Sequence, residues 1–303
     1  HLKILGLGWF FGTCLAFPLV PAIRYHKVLL TRQVESLMKS IKAITAALLL
    51  FLLLQNHVSA SDLEREKRMA EEIVDVILDG DVIYLKVNDH EFLNIYTEAD
   101  EAPEAIRGTA VILHGRGFHP DWQDLVNPLR VGLTESGWNT LSVQMPVLEK
   151  QSKYYDYVPL FPKAIPRIEA AIAYAREQLK AGGLEDRVVL IAHSCGAHMA
   201  MAWADVDSFE DIDAYVGIGM GATDYKQPMR RTFPLANLKI PVLDVYAEND
   251  YPAVLKMAPE RLALIKKAGN EKSAQVMVKG SDHYHTDNGD VLTAVISKWL
   301  QSL

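Results

Sequence analysis

A serine at position 194 is surrounded by residue types that suit nucleophilic chemistry. Five apolar residues, 188–192, precede His193 and Ser194, and Cys195 and Gly196 follow. A strand that turns sharply into a helix lifts a serine above a sheet, and this turn requires small residues two positions before and two positions after the serine. Ala192 and Gly196 occupy those positions. The pattern A-x-S-x-G therefore predicts a nucleophile elbow, with Ser194 rather than Cys195 at its centre.

A serine hydroxyl becomes a nucleophile when a base removes its proton, and an acid behind the base orients it. His283 and His285 follow the last predicted strand. Histidine is the usual proton carrier near neutral pH, so we predict His283 as the base and keep His285 as the alternative. An H-x-H pair also suits a metal ion, but no HExxH or equivalent cluster accompanies it, and we predict neither a metal nor another cofactor. His193 and His198 are better explained as interior residues with local hydrogen bonds.

Three carboxylates are candidates for the acid that orients the base. Asp250 ends a polar turn after the predicted strand Val242 to Ala247, and it is the predicted acid. Glu248 in the same turn and Asp224 after the preceding strand are the alternatives. The chain order serine, aspartate, histidine is one of the known layouts of a catalytic triad.

The stretch from Leu113 to Phe118 places two glycines directly after another predicted strand. The backbone N–H of Arg116 or Gly117, together with that of Cys195, would form an oxyanion hole for a tetrahedral intermediate. The glycines fit a nucleotide-binding loop poorly, because Pro120 occupies the third glycine position. The Arg116 side chain at the rim would favour an anionic substrate.

The elements that must position these groups alternate along the chain. Val82 to Val87 and Phe92 to Thr97 predict an antiparallel hairpin. Further strands are predicted at 110–113, 140–145, 188–192, 214–219, 242–247 and 275–278, and helices at Trp122 to Glu135, 164–180, 252–268 and 291–300, besides the one after Ser194. This alternation predicts a doubly wound, mostly parallel sheet with helices on both faces and the reacting groups at the carboxyl ends of the strands. The aromatic segment from Val147 to Pro162 either overhangs the site or packs on the domain surface.

The first 60 residues predict a secretory leader. Met38 is the expected start, Lys39 and Lys42 form a positive region, residues 43–54 form an apolar core, and small residues precede an expected cleavage after Ala60. A core of 12 residues is short for a bilayer span, which needs about 20. We therefore predict a periplasmic or secreted protein with no stable membrane span after processing. The alternative is an uncleaved segment that anchors the chain to the inner membrane.

The part of the chain after residue 60 is acidic and long enough for one domain. Residues 1–60 hold six of the 31 basic and one of the 38 acidic side chains, which leaves 25 basic and 37 acidic side chains and a net charge of −12. Without clustered Lys and Arg, nucleic acid is not an expected partner. We predict a lead-in helix over 61–78 and one domain over 79–303; the sequence does not predict the oligomeric state. Cys195 is the only thiol after residue 60, so no internal disulfide is expected.

The motifs together resemble the α/β-hydrolase superfamily, with HGxG at 114–117, A-x-S-x-G at 192–196, and the later Asp250 and His283. More narrowly, residues 114–117, 120–122, 128–130 and 137–141 look like a group of Gram-negative envelope proteins of unknown function within that superfamily. This resemblance implies an α/β-hydrolase fold and a periplasmic location. We expect a serine esterase that acts on a small-molecule or lipid-like acyl ester. Members of the group do not all keep the elbow serine, so a catalytically silent binding or scaffold protein is one alternative, and an acyltransferase with the same triad is another.

Overall fold

The structure, a computed structural model, describes residues 34–35, 37–42, 44–45, 61–207 and 209–303. They belong to two units, residues 1–57 and 58–303. In the first unit, the described positions are helical. The predicted leader lies mostly outside the described residues. Within the described ranges, no helix is both long enough and apolar enough to cross a membrane.

In the described part of the second unit, eight strands form one sheet in the order β1-β2-β4-β3-β5-β6-β7-β8. The strands are β1 (Asp81–Val87), β2 (His90–Thr97), β3 (Gly108–Leu113), β4 (Trp138–Val143), β5 (Val188–His193), β6 (Ala214–Ile218), β7 (Val242–Asn249) and β8 (Ala274–Asp282). β2 pairs antiparallel with β1 and with β4, and every other pair is parallel. The parallel strands therefore end at one edge, where the loops after β3, β5, β6, β7 and β8 meet.

Helices cover both faces of this sheet. They are α1 (Leu63–Ile73), α2 (Val126–Gly132), α3 (Tyr154–Tyr157), α4 (Ile165–Ala181), α5 (Cys195–Asp207), α6 (Pro252–Ala268) and α7 (Gly289–Leu300), with short 3-10 turns between some of them. Val111 and Leu190 pack under α4 and α5, while Ile112 and Ile191 pack under α2 and α7. β3, β5 and β6 are buried at every position, and the sequence has the mostly apolar runs that strands covered on both faces need. The predicted doubly wound sheet with an antiparallel opening hairpin is confirmed.

Two predicted helices are shorter than expected. The helix predicted from Trp122 to Glu135 is wrong at its start, because α2 begins at Val126. The Trp122 side chain instead stacks on the ring of Phe118, with centroids 3.6 Å apart. The apolar Trp122 ring thus packs in a cluster of loop residues and not on a helix face. The lead-in helix predicted over 61–78 is α1 followed by one 3-10 turn, and it leaves Leu78 exposed.

Buried polar contacts attach α1 to the rest of the domain. The Glu66 carboxylate pairs with the Arg167 guanidinium of α4 at 2.9 Å, and both side chains are buried. The Arg65 guanidinium donates hydrogen bonds to the carbonyl oxygens of Gly117, at 3.2 Å, and Leu148. α1 therefore contacts the loop after β3 and the start of the aromatic segment that follows β4.

Candidate active site

Ser194 lies at a sharp turn between β5 and α5. Its φ of 52° is in the left-handed region, where strain in a non-glycine residue is typical of functional sites. The Ser194 N–H donates to the Ile218 carbonyl oxygen at 2.8 Å, and the Ser194 carbonyl oxygen accepts from the His198 N–H at 3.3 Å. A Cβ on Gly196 would lie 2.6 Å from the His114 carbonyl oxygen, so this position requires glycine. The local backbone has the strand–turn–helix geometry of a nucleophile elbow.

Ser194, His283 and Asp250 come together from three loops. Asp250 directly follows β7, and His283 directly follows β8. The Nε2 atom of His283 lies 2.8 Å from the Ser194 Oγ, and its Nδ1 atom lies 2.6 Å from the Asp250 Oδ1. All three residues are buried. This arrangement can pass a proton from the hydroxyl to the imidazole while the carboxylate holds the ring.

The hydrogen bonds of Asp250 select the tautomer of His283. Asp250 Oδ2 accepts from the Ala247 N–H at 3.1 Å, and Oδ1 accepts from the Tyr251 N–H at 2.7 Å. Since a carboxylate only accepts, the proton of the neutral imidazole lies on Nδ1. Nε2 is then free to accept the hydrogen of the Ser194 hydroxyl.

Neighbouring groups restrict the imidazole of His283 from several sides. The Tyr251 ring stacks on it with centroids 4.1 Å apart and an interplanar angle of 18°. The His193 Nε2–H donates to the His283 carbonyl oxygen at 3.0 Å. A Cβ on Gly219 would lie 2.9 Å from the His283 Cε1. The sequence reasoning missed Tyr251 and Gly219; the position of each, directly after Asp250 and directly after β6, was the available signal.

The alternative acids and base are engaged elsewhere. His285 is buried, its Nδ1 lies 2.8 Å from the Ser281 Oγ, and burial lowers its pKa to about 4. Glu248 accepts a hydrogen bond from the Gly280 N–H at 2.9 Å, which joins β7 to β8. Asp224 pairs with Arg116. Among the described contacts, none of the three alternatives touches Ser194 or His283.

Arg116 and Cys195, whose backbone amides are predicted to bind the oxyanion, line the cavity beside Ser194. No acceptor among the described residues takes a hydrogen bond from the backbone N–H of either residue. Amides without a protein partner are what a developing oxyanion needs. Gly117 continues the loop with a φ of 74°, and its carbonyl oxygen accepts from Arg65. Burial raises the pKa of the Cys195 thiol to about 12, which keeps it protonated and a poor nucleophile.

The Arg116 side chain forms an ion pair with a carboxylate of this protein. Its guanidinium donates to both oxygens of Asp224, at 2.5 and 3.3 Å, and the Tyr154 N–H donates to the same carboxylate at 2.6 Å. Burial of Asp224 raises its pKa, but the hydrogen bonds from Arg116 and Tyr154 outweigh this effect and hold the pKa below its ordinary value. The Arg116 charge, which was expected at the rim to favour an anionic substrate, is thus paired with the Asp224 carboxylate. The pair joins the loops after β3 and β6 to α3.

The cavity at Ser194 is narrow, with a volume of about 30 Å³, which is room for one or two water molecules. Tyr154 and Tyr157 of the aromatic segment form part of its wall, so this segment overhangs the site. Burial raises the pKa of each phenol to about 12, and both are neutral. Across 61–207 and 209–303, no three His, Cys, Asp or Glu side chains cluster as metal ligands would.

The sheet order, the elbow after β5, and the polar loops after β3, β7 and β8 define an α/β-hydrolase fold. Solved structures share it at low identity. Est1E from Butyrivibrio proteoclasticus has a TM-score of 0.54 and 15% identity over 73% of this chain and 98% of that chain. A cold-adapted esterase from an Arctic intertidal metagenomic library has a TM-score of 0.52 and 15% identity over 73% of this chain and 93% of that chain. XC6422 from Xanthomonas campestris, described as an α/β serine hydrolase without lid, has a TM-score of 0.52 and 13% identity over 75% of this chain and 95% of that chain.

Sequence comparisons reach a smaller part of the chain. The family described as "Protein of unknown function (DUF3530)" matches residues 54–156. These residues contain the loop after β3 but neither Ser194 nor His283. None of the curated proteins matches this chain.

Proposed function

We propose that this protein is a serine hydrolase that cleaves carboxylic esters, with Ser194 as nucleophile, His283 as base and Asp250 as the orienting acid. The observation that carries this proposal is the chain of hydrogen bonds from the Ser194 Oγ through the His283 ring to Asp250, at 2.8 and 2.6 Å. Ser194 and His283 line a cavity, and Arg116 and Cys195, whose amides would hold the oxyanion, line the same cavity.

The reaction follows from these positions. The Ser194 oxygen attacks the ester carbonyl carbon while its proton moves to the His283 Nε2, and the carbonyl oxygen becomes an oxyanion held by the two amides. The bond to the alcohol then breaks, and His283 returns the proton to the departing alkoxide. A water molecule repeats the sequence on the acyl-enzyme, releasing the acid and restoring Ser194. One missing oxyanion donor costs about 3 kcal/mol of transition-state stabilisation.

The two alternative functions make different structural demands. A silent scaffold would tolerate scattered candidate side chains, whereas here they lie within hydrogen-bond distance of one another. The structures similar to this chain include proteins described as esterases and serine hydrolases, which supports a hydrolytic reaction. An acyltransferase would use the same side chains, and analysis of the products with an added alcohol acceptor separates the two reactions.

Labelling with a fluorophosphonate probe tests the proposal. The probe should attach to the unmodified protein, and Ser194→Ala should abolish labelling. Ser302→Ala, a serine change at the carboxyl-terminal end far along the chain from the site, is the matched control and should keep full labelling. Full labelling of the Ser194→Ala protein would contradict the proposal.

We propose in addition that the protein acts in the periplasm of a Gram-negative bacterium after removal of residues 38–60. The support is the basic, apolar and small-residue order of that segment. Fractionation of expressing cells and the mass of the mature chain test this. An amino terminus at Ser61 in the periplasmic fraction is expected, and a membrane-bound chain that keeps the segment would favour the anchor.

A further inference from the structure

A second cavity, with a volume of about 450 Å³, lies beside the Ser194 cavity and shares the wall residues Tyr154 and His198 with it. Its lining is mostly apolar and includes Phe161, Met201 and Phe233. Cavities of about 300 to 1,000 Å³ with such linings are typical of small-molecule sites. The cavity at the serine holds little beyond the reacting carbonyl, so the remainder of an acyl group needs space elsewhere.

We infer that this second cavity, here named the acyl groove, binds the acyl chain of the ester and that the preferred substrates are esters of medium-length, unbranched apolar acids. This inference rests on the proposed hydrolase function and adds the substrate class to it.

The position of the groove separates the acyl group from the leaving alcohol. In the acyl-enzyme the acyl group is bonded to the Ser194 oxygen, whereas the alcohol receives its proton from His283 and leaves on that side. The acyl groove is formed by one face of α5 and by residues 154–162 and 229–234. No described residue from the loops after β7 and β8 lines it. The groove therefore lies on the acyl side of the scissile bond.

The inner wall of the groove is uncharged. The His198 ring stacks on Phe161, with centroids 5.1 Å apart and an angle of 8°, and its Nε2–H donates to the Ala222 carbonyl oxygen at 3.0 Å. Burial lowers the pKa of His198 to about 4, so the imidazole is neutral at physiological pH. This wall therefore presents no buried charge to an apolar chain in the groove.

Charged side chains begin only at the outer end of the groove. The Arg231 side chain is 86% exposed and lies 4.0 Å from the exposed Asp205. The Arg230 guanidinium lies over the Tyr155 ring, 4.5 Å from its centroid. The apolar lining ends where these charges begin. A longer hydrocarbon chain would therefore have to pass among hydrated groups, which costs free energy. This boundary favours medium-length over long acyl chains.

Ala202 on α5 lines the groove and is half-buried, so Ala202→Phe places a ring inside it. Each methylene excluded from an apolar site costs about fourfold in binding. We expect kcat/KM for p-nitrophenyl octanoate to fall at least about tenfold, while p-nitrophenyl acetate changes by less than about twofold. Val206→Phe, one turn nearer the outer end, should give a smaller loss on octanoate. Val291→Phe, an exposed valine on α7 outside the groove, is the matched control and should change neither substrate.

Octanoate binding to the Ser194→Ala protein, measured by calorimetry, tests the groove without turnover. Ala202→Phe in that background should weaken binding by at least about fivefold. If the fluorophosphonate probe labels nothing but octanoate binding depends on Ala202, the hydrolase proposal fails and the groove still binds acyl chains. If the probe labels Ser194 but neither chain-length preference nor octanoate binding depends on Ala202, the groove assignment is overturned. A changed oligomeric state in Ala202→Phe without either effect would mark an interface between copies, which also overturns it.

Discussion

The absence of a side chain at Gly219 leaves the space in which the His283 ring lies, and Gly219→Ala tests whether this space positions the ring. The added Cβ would lie 2.9 Å from the His283 Cε1 and 3.1 Å from its Nδ1, whereas ordinary contacts begin at 3.4 Å. The ring must therefore move by about 0.5 Å, and the stacked Tyr251 limits the directions available. Misplacement by about 1 Å costs on the order of 100-fold in rate. We expect kcat on p-nitrophenyl acetate to fall about 10- to 100-fold.

Gly219→Ala also adds backbone strain, and a substitution at a second glycine measures the effect of such strain alone. Gly219 has a φ of 59°, and an alanine there costs about 1 to 2 kcal/mol. Gly183 has a φ of 64°, and a Cβ added there would meet nothing within 4 Å. Gly183→Ala should thus lower the melting temperature through strain alone, by no more than Gly219→Ala does, and leave kcat unchanged. Equal losses of kcat in the two variants would refute the argument that the Gly219 contact positions His283.

Four further substitutions, one of them a control, separate the roles assigned to the other polar groups. Asp250→Asn puts an amide N–H where three donors converge and should lower kcat/KM by about 10³- to 10⁴-fold, whereas Glu248→Gln should change it less than about twofold; the reverse order would reassign the acid. Asp224→Asn weakens the hold on Arg116 and should lower kcat about tenfold through a looser oxyanion loop, and an unchanged kcat would show that the pair has no positioning role. Burial lowers the pKa of His198 and His285 to about 4, so the unfolded chain binds protons that the folded chain does not, and stability falls as the pH drops below about 6.5. Each of these two histidines should lower the free energy of unfolding by about 1 to 2 kcal/mol between pH 7 and pH 5. His285→Asn should flatten the pH dependence of the melting temperature, because asparagine tolerates the φ of 55° and does not titrate. An unaltered slope would contradict this account.

The sequence predicts the centre of the sheet well because β3, β5 and β6 are mostly apolar runs between turn residues. It also places Ser194, Asp250 and His283 in loops that the structure brings within hydrogen-bond distance. That success has a physical cause: parallel strands deliver their following loops to one edge, so chain order alone restricts which side chains can meet. The error at Trp122 arose because an apolar residue near a helix can pack into a loop cluster as well as onto a helix face.

Contacts between loops were outside the reach of sequence patterns. The pairing of Arg116 with Asp224 joins residues 108 positions apart, and no local spacing signals it. Asp224 was predicted as an alternative acid and Arg116 as a rim charge, yet each neutralises the other. The stacking of Tyr251 on His283 and the position of His198 between two cavities likewise depend on how separate loops pack.

The contacts of α1 join the start of the domain to the loops around Ser194. Arg65 donates a hydrogen bond to Gly117, which follows Arg116 in the loop after β3, and the Ser61 Oγ donates to the Val147 carbonyl oxygen at 3.0 Å. Glu66 closes the connection through its buried pair with Arg167, and removing one partner of such a pair destabilises by about 3 to 5 kcal/mol. Loss of α1 would thus remove contacts to the loop after β3 and to the aromatic segment beside Ser194, so the shape of the Ser194 cavity depends on the first helix of the domain.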